Sequence, residues 1–331
     1  MSAAGHRLRW AYGLSCWKPG FMGFARREEH ERAFKVISAA GFRAIELAAG
    51  SGRWSPLGRP ENIAENYGSA AQFRQQLAAW GIDHIASCFY DPGDMSFEDL
   101  HHGLSPLQAA DHAGIAATCA LHARFLAEVG GESLVVRPAP SFWKSGALST
   151  EALQTIADCW NTAARALAGT SVRLALHVDA LSALRSAEQI AALLAATDRS
   201  RVGLAIDTAE VTIAGHDAIQ LYVRFAARVF HLHLKNALAC DTLGEYQLPN
   251  AERALIQAGG SRGIARWFGE LEHPQGLVDF PTLIAQLRAN RYGGWLVVES
   301  DKGPAPIATG VLLNGWTVQR RLDPPASQPA T

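Results

Sequence analysis

The sequence has few cysteines, almost no excess of charge and no long apolar run. Its five cysteines are scattered, and none has the Cys-x-x-Cys spacing of a thiolate zinc site or suggests a disulfide framework. We therefore interpret them as free buried thiols in a reducing compartment. The formal net charge of -1 provides no general attraction for nucleic acid, so we expect no nucleic-acid partner.

No apolar stretch approaches the length needed to cross a bilayer, so we expect no membrane partner. The N-terminal segment lacks the apolar core of a secretory signal. Both absences favour a cytoplasmic location. The sequence instead offers 331 residues, of which 48% are hydrophobic and only 18% are charged. This composition is typical of a globular enzyme with a substantial core.

Short β-rich segments alternate with longer segments whose apolar residues recur at the helical spacing of 3.6 residues. The predicted strands are 10–15, 43–47, 83–88, 133–138, 172–178, 201–207, 228–234 and 294–300. Predicted helices between them include 27–41, 69–81, 151–169, 186–197 and 280–291.

Eight strands that alternate with helices predict an α/β fold with a parallel sheet and right-handed crossovers. At this chain length the pattern favours a closed (β/α)8 TIM barrel, a single domain over residues 1–322. An open doubly wound sheet is the weaker alternative, because no Gly-x-Gly-x-x-Gly follows the first strand.

Residues 236–278, after the seventh strand, are too many for a simple barrel loop, and they include a candidate short helix at 250–260. Insertions on the catalytic side of a barrel usually shape a substrate pocket or a subunit contact. The tail 323–331 is rich in proline, serine and alanine, and we expect it to be disordered.

Ionisable side chains follow most of the predicted strands, at the end where a barrel carries its active site. They are Glu46, Arg137, His177, Asp179, Asp207, Glu210, His231, His233, Lys235 and Glu299. So many such groups would be expensive to bury unpaired, and a bound divalent cation would satisfy several of them together. Imidazole and carboxylate ligands without thiolate suit Mn²⁺, Co²⁺, Zn²⁺ or Fe²⁺, whereas an all-oxygen site suits Mg²⁺ better.

Each of these residues also has a purely structural interpretation. A strand histidine is more often a hydrogen-bonded core residue than a ligand, Glu46 could be an ion-pair partner, and Asp207 could cap the following turn. Trp143 could form an aromatic wall for a sugar ring or pack in a loop. His231 and His233 share one strand face, so periodicity alone does not choose between them. The coincidence of so many groups at the same strand ends favours a site.

Several segments resemble the xylose isomerase-like TIM barrels, a superfamily that includes sugar isomerases and epimerases, inosose dehydratase and the more distant endonuclease IV group. GFRAIEL (41–47) fits the second-strand signature of the group. The other segments are AIDTAEVTIAGHD (205–217), RVFHLHLKN (228–236) and residues 268–301.

The resemblance implies metal ligands at His177, Asp207, His233 and Glu299, and it leaves His231 one layer deeper as a structural residue. This sequence departs from the family pattern in two ways that matter. His177 replaces the usual glutamate, and Glu210 stands where the family commonly has histidine. Asp179 also stands where the inosose dehydratase-like branch often has histidine.

The departure at position 177 bears on the mechanism that the resemblance implies. Ketose epimerases of the superfamily use two metal-bound glutamates on opposite faces of the substrate, and one of these is missing here. An asymmetric reaction fits better, in which Glu299 removes a proton next to a ketone and a β-substituent then leaves. His177, Asp179 or Glu210 would be the partner of Glu299.

The remaining strand-end residues are predicted to contact the substrate. Lys235 would stabilise developing negative charge as a catalytic residue. The predicted substrate contacts are Glu46, Arg137, Asp179 and Trp143.

We therefore expect a divalent-metal-dependent lyase or isomerase, with Mn²⁺ as the first candidate ion, acting on a keto-sugar or keto-cyclitol. The reaction would be an elimination like that of inosose dehydratase, or cleavage of a 3-keto-glycoside. A sugar epimerase or isomerase that works by enediolate proton transfer is one alternative, and a non-catalytic barrel subunit is another. DNA repair is disfavoured by the near-neutral charge. As protein partners, we expect either further copies of the same chain in a homo-oligomer or a small partner subunit.

Overall fold

The computed structural model describes residues 6–17, 26–49, 56–93, 103–255, 264–300 and 306–324. A closed barrel of eight parallel strands forms its centre, and pairing of the first strand with both the second and the last closes it. In chain order the strands are β1 (Arg9–Gly13), β2 (Ala44–Ala48), β3 (His84–Tyr90), β4 (Ser133–Val136), β5 (Arg173–Val178), β6 (Val202–Asp207), β7 (Val229–Leu234), β8 (Asn236–Ala237), β9 (Phe268–Gly269) and β10 (Trp295–Val298). All except β8 and β9 belong to the barrel, so the predicted (β/α)8 fold is confirmed.

Helices lie between successive barrel strands along the chain. They are α1 (Arg27–Ala39), α2 (Pro60–Tyr67), α3 (Ala70–Ala79), α4 (His112–Val129), α5 (Phe142–Ser145), α6 (Thr150–Ala166), α7 (Ala187–Ala195), α8 (Thr208–Ile213), α9 (Ala218–Phe225), α10 (Pro249–Leu255), α11 (Phe280–Ala289) and α12 (Ile307–Thr317). Helix α6 shows how the sequence forms them: the Ser149 hydroxyl accepts from the Ala152 amide at its start, and Ile156, Trp160 and Ala163 are buried on one face.

The five helices predicted from periodicity are present as α1, α3, α6, α7 and α11, and each ends two or three residues earlier than expected. Glycine explains the earlier end in two of them. Gly41 and Gly81 follow α1 and α3 with φ angles of 89° and 84°, in the left-handed region that ends a helix.

Several strand boundaries also differ from the expectation, and three of these differences matter for the site. Strands β4 and β10 end two residues earlier than predicted, so Arg137 and Glu299 lie in the loops that follow them. Strand β3 instead runs two residues further, to Tyr90, so Asp91 comes directly after it.

Two register irregularities bring polar residues of the barrel interior side by side. Between β2 and β3 the register shifts at Ile45/Glu46, which places Glu46 opposite Ser87. Between β6 and β7 it shifts at Leu204/Ala205, and Asp207 then pairs with His233. Such irregularities redirect side chains locally, and they are common next to active sites.

The insertion after β7 packs onto the loops at the carboxyl ends of β5 and β6. Strands β8 and β9 form an antiparallel pair, and Tyr246 stacks on Trp267 at 4.9 Å between ring centres. Tyr246 belongs to an apolar cluster with Leu181 of the loop after β5 and Ile213 of α8. The insertion therefore lies on the catalytic side, as predicted.

Some expectations reach beyond the described residues. The candidate helix 250–260 corresponds to α10, and residues 256–260 lie outside the description. Of the tail 323–331, only residues 323 and 324 are described.

No helix in the described part of the chain is both long enough and apolar enough to cross a membrane. The cytoplasmic location, the single-domain boundary at residue 322 and the oligomeric state stay predictions.

Candidate active site

In the described part of the chain, a cavity opens where the barrel strands end, and most of the predicted functional residues line it. Among the side chains that line it are Glu46, Arg137, His177, Asp179, Glu210, His233, Lys235 and Glu299. Asp207 is fully buried beside them.

The four predicted metal ligands converge beside this cavity. The Asp207 carboxylate places Oδ2 3.4 Å from His177 Nε2 and 3.9 Å from His233 Nδ1. His233 Nδ1 also lies 3.5 Å from Glu299 Oε2. One residue comes from each of β5, β6 and β7, and Glu299 comes directly after β10.

The donor set fits a divalent cation. His233 Nδ1 is buried and has no hydrogen-bond partner among the described residues, although two carboxylates lie within 4 Å of it. A buried ring nitrogen in this situation is typical of a ligand position. The imidazole and carboxylate donors of His177, Asp207, His233 and Glu299 suit Mn²⁺, Fe²⁺, Co²⁺ or Zn²⁺.

The two carboxylate oxygens of Asp207 have different neighbours. Its Oδ1 accepts hydrogen bonds from the Ala209 and Glu210 amides, each at 3.0 Å, and so caps helix α8. Its Oδ2 faces His177 and His233. The turn-capping interpretation and the ligand interpretation of Asp207 are therefore compatible, because the cap fixes the carboxylate with one oxygen directed at the cluster.

Lys235 brings an ammonium group among the carboxylates. Its Nζ lies 3.0 Å from Asp207 Oδ2, 3.4 Å from Glu299 Oε2 and 3.7 Å from Glu210 Oε1. The aromatic ring of Phe268, from the insertion, lies 4.8 Å away. One cation therefore faces three carboxylates, and the site is acidic overall.

Burial and the surrounding charges shift the pKa values of Glu210 and His233 in the cavity. Burial raises the pKa of Glu210 to about 8 against the opposing effect of Lys235, and the charges of Asp207 and Asp179 act in the same direction as burial. Burial alone would lower the pKa of His233, but the carboxylates of Glu299 and Glu46 raise it to about 10. A proton and a divalent cation are thus alternative ways to neutralise the carboxylates around His233.

Arg137 forms the centre of a second charged group in the cavity. Its Nε donates to Asp179 Oδ2 at 2.7 Å and its guanidinium also donates to Ser141 Oγ at 2.9 Å. Asp91 Oδ2 and Glu252 Oε1 lie 3.5 and 3.7 Å from Nη1. These carboxylates outweigh the effect of burial and raise the pKa of Arg137 well above its ordinary value. Arg137 and Asp179 line the cavity as a mutual ion pair rather than as two free groups.

Two predicted substrate contacts, Trp143 and Glu46, already have protein partners in the structure. Trp143 does not line the described cavity: it is 41% exposed, and its indole N–H donates to Glu252. Glu46 borders the cavity, but its two oxygens already face ring nitrogens of His231 and His233 at 3.0 and 2.9 Å. The structure therefore places Glu46 at the edge of the cavity with each of its oxygens next to a histidine, and its role as a substrate contact stays a prediction.

Sequence reasoning missed four residues of the site. Asp91 comes directly after β3. Because the strand was predicted to end at residue 88, three residues before Asp91, this carboxylate did not stand out as a strand-end group. Phe89 lies on β3 with its ring 5.4 Å from that of His177. Glu252 and Phe268 come from the insertion, where no periodic pattern indicates which side chains turn inward.

Comparison with known proteins agrees with this architecture. The inosose dehydratase of Geobacillus kaustophilus (strain HTA426) is 29% identical over 152 residues, which are 46% of this chain and 46% of that protein. The rhizopine catabolism protein MocC of Rhizobium meliloti is 32% identical over 142 residues, 43% of this chain and 40% of that protein. The chain thus spans less than half the length of these curated relatives in the matched regions.

A solved structure and a family model extend the likeness to most of the chain. The structure of the probable 3-DHS dehydratase AsbF from Bacillus anthracis has a TM-score of 0.70 at 14% identity, with 95% of this chain and 100% of that chain covered. At this identity the likeness shows the fold alone. The model of the xylose isomerase-like TIM barrel family matches residues 34–313. Because that match covers most of the length of this chain, the chain belongs to the xylose isomerase-like TIM barrel family.

Proposed function

We propose that this protein is a divalent-metal-dependent lyase or isomerase that acts on an uncharged keto-sugar or keto-cyclitol. The observation that carries the proposal is the convergence of His177, Asp207, His233 and Glu299 beside one cavity. Mn²⁺ is our first candidate for the ion, with Co²⁺, Zn²⁺, Fe²⁺ and Mg²⁺ as alternatives. The similarity to inosose dehydratases supports an elimination reaction.

The charges in the cavity support an uncharged substrate. Five carboxylates and two fixed cations line it, and each cation already faces three carboxylates. Apart from the proposed metal ion, the fixed cations in the described part of the cavity already face carboxylates, so a phosphate or carboxylate on the substrate would gain little from them and would be repelled by the acidic groups. Carboxylate oxygens and the guanidinium of Arg137 suit the hydroxyl groups of a polyol, which both donate and accept hydrogen bonds.

The proposed metal ion and the residues that line the cavity would have different roles in the reaction. A bound divalent ion polarises a ketone oxygen and stabilises negative charge on it. Glu299 would then take the proton from the carbon next to the ketone, a general-base contribution of about 10²- to 10⁴-fold. Lys235, between Glu299 and Glu210, supplies positive charge where negative charge develops.

With Glu210 as the acid, the bonds and protons of the proposed elimination are all accounted for. The electron pair of the broken C–H bond forms the new C=C bond, and the bond from the β carbon to its oxygen substituent breaks. The leaving oxygen takes its proton from Glu210, which lines the cavity together with Glu299. The products are an enone and water, or an enone and an aglycone alcohol. Proton exchange with solvent restores both carboxyl groups, and His177 and Asp179 remain the alternative acids.

A substrate screen with mass-spectrometric detection tests the proposal. Keto-inositols, ketoses and 3-keto-glycosides are each incubated with the protein and Mn²⁺. We expect loss of water or of an aglycone, whereas unchanged mass with altered retention would assign an epimerase or isomerase instead.

Two variants control the screen. His233→Ala is expected to abolish turnover, and His84→Gln, at an exposed position at the other end of β3, is expected to retain it. Absence of turnover for every compound, or turnover that survives His233→Ala, would contradict the proposal. A barrel without any metal affinity would support a non-catalytic subunit.

A further inference from the structure

We propose that Glu46 is a positioning residue that holds the His233 ring so that its Nδ1 faces the metal site; this inference rests on the proposed function. Glu46 Oε1 lies 2.9 Å from His233 Nε2. On the opposite edge of the same ring, Nδ1 lies 3.5 Å from Glu299 Oε2 and has no hydrogen-bond partner among the described residues. The imidazole therefore spans from a buried carboxylate to the cavity.

The contact with Glu46 determines which nitrogen of His233 is free to bind a cation. A carboxylate accepts hydrogen bonds, so His233 carries its proton on Nε2, and the lone pair of the neutral ring lies on Nδ1. Rotation of the ring would direct the wrong nitrogen at Asp207 and Glu299. A carboxylate on the far nitrogen also makes the ring a stronger ligand, and loss of such a contact typically costs 10- to 100-fold in metal affinity.

Glu46 is itself fixed by two further donors. Ser87 donates to Oε2 at 2.6 Å, and His231 Nε2 lies 3.0 Å from the same oxygen. The register shift between β2 and β3 brings Ser87 opposite Glu46, and His231 lies two residues before His233 on β7. Glu46 is 3% exposed and His231 is fully buried, so these contacts are strengthened by the low dielectric of the barrel interior.

This arrangement gives His231 a role of its own. His231 orients the Glu46 carboxylate, and this carboxylate in turn orients the His233 ring. The His-x-His spacing puts both histidine rings on one face of β7, with 5.1 Å between ring centres. A second interpretation is that Glu46, His231 and His233 themselves hold a second cation, because their ligand atoms lie within 4.8 Å of one another. The two interpretations predict different numbers of bound ions.

Metal binding by three variants tests the proposal. Glu46→Leu removes both acceptors, Glu46→Gln keeps one neutral acceptor, and Ser87→Ala removes a donor to the same carboxylate without touching His233. We expect the Kd for Mn²⁺, measured by calorimetry, to rise about 100-fold in Glu46→Leu and about 10-fold in Glu46→Gln. Ser87→Ala leaves His231 to hold the carboxylate, so its Kd is expected to rise less than that of Glu46→Gln.

A second measurement does not depend on the metal. The hydrogen-bonded imidazole N–H protons of His231 and His233 should appear as slowly exchanging downfield resonances in ¹⁵N-histidine-labelled protein. The His233 signal is expected in wild type and in Ser87→Ala, and it should be absent from Glu46→Leu. If Glu46→Leu does not fold, Glu46→Gln carries both measurements, with the His233 signal shifted or weakened.

The outcomes separate this proposal from the proposed function. A Kd for Mn²⁺ within about twofold of wild type in the Glu46 variants, or a His233 signal unchanged in them, would overturn the positioning role. Two ions bound per chain, reduced to one in Glu46→Gln, would also overturn it and make Glu46 a ligand. If wild type binds no Mn²⁺, the metal-dependent function fails, and the N–H resonance still decides whether Glu46 holds His233.

Discussion

Replacement of Arg137 by methionine should destabilise the protein strongly. The Arg137 side chain is nearly buried, and it lies within 4 Å of carboxylates from Asp91, Asp179 and Glu252. Methionine fills a similar volume but leaves these buried acids without their shared cation. Removal of one partner from a buried ion pair typically costs about 3–5 kcal/mol. At roughly 2 °C per kcal/mol for a chain of this size, the melting temperature should fall by about 6–10 °C.

Two further variants show whether charge is the cause. Arg224 pairs with Glu188 on the surface at 3.2 Å, with side chains 46% and 78% exposed. Arg224→Met should therefore cost less than about 1 kcal/mol. Adding Asp91→Asn to Arg137→Met removes one of the unpaired charges and should recover about 1 kcal/mol or more.

Thermal melting followed by circular dichroism, with all variants in the same buffer, provides the comparison. If Arg137→Met melts within about 2 °C of wild type, or if Asp91→Asn lowers its melting temperature further, the carboxylates do not depend on Arg137 and the reasoning fails.

Two other predictions concern buried groups at the edge of the site and outside it. His122 Nδ1 lies 3.1 Å from the Gly58 carbonyl oxygen, and burial lowers its pKa from 6.5 to about 4. The unfolded chain gains this proton first, so stability present above pH 6.5 should decline by about 3 kcal/mol as the pH falls to 4. His122→Gln should lack this component in pH-dependent melting, and an identical decline would contradict the assignment. Gly13 approaches Glu299 so closely that an added Cβ would lie 3.0 Å from Glu299 Cγ and Oε1. Gly13→Ala should lower kcat/KM by about tenfold or more with little change in melting temperature, and unchanged turnover would show that the position of Glu299 does not matter.

The fold was accessible from the sequence because strand and helix periods alternate along the whole barrel. The strand-end rule also located the main ionisable groups, since parallel strands of a barrel deliver their carboxyl ends to one face. His233 illustrates the success: it lines the cavity, whereas His231 lies buried beneath it and contacts Glu46.

The sequence could not predict the partners of side chains whose direction depends on details that periodicity does not encode. Glu46 turns towards the histidines because of a register shift that brings Ser87 beside it. The indole N–H of Trp143 donates to Glu252, a residue of the distant insertion. Contacts of such long sequence separation leave no trace in local composition or spacing.

The most direct test of the central claim is the anomalous diffraction of crystals soaked in Mn²⁺. We predict one strong peak within about 2.0–2.4 Å of His177 Nε2, Asp207 Oδ2, His233 Nδ1 and a Glu299 oxygen. The same peak should be absent from His233→Ala crystals. No peak in the barrel, or a peak held by Glu46 and His231 instead, would contradict the account.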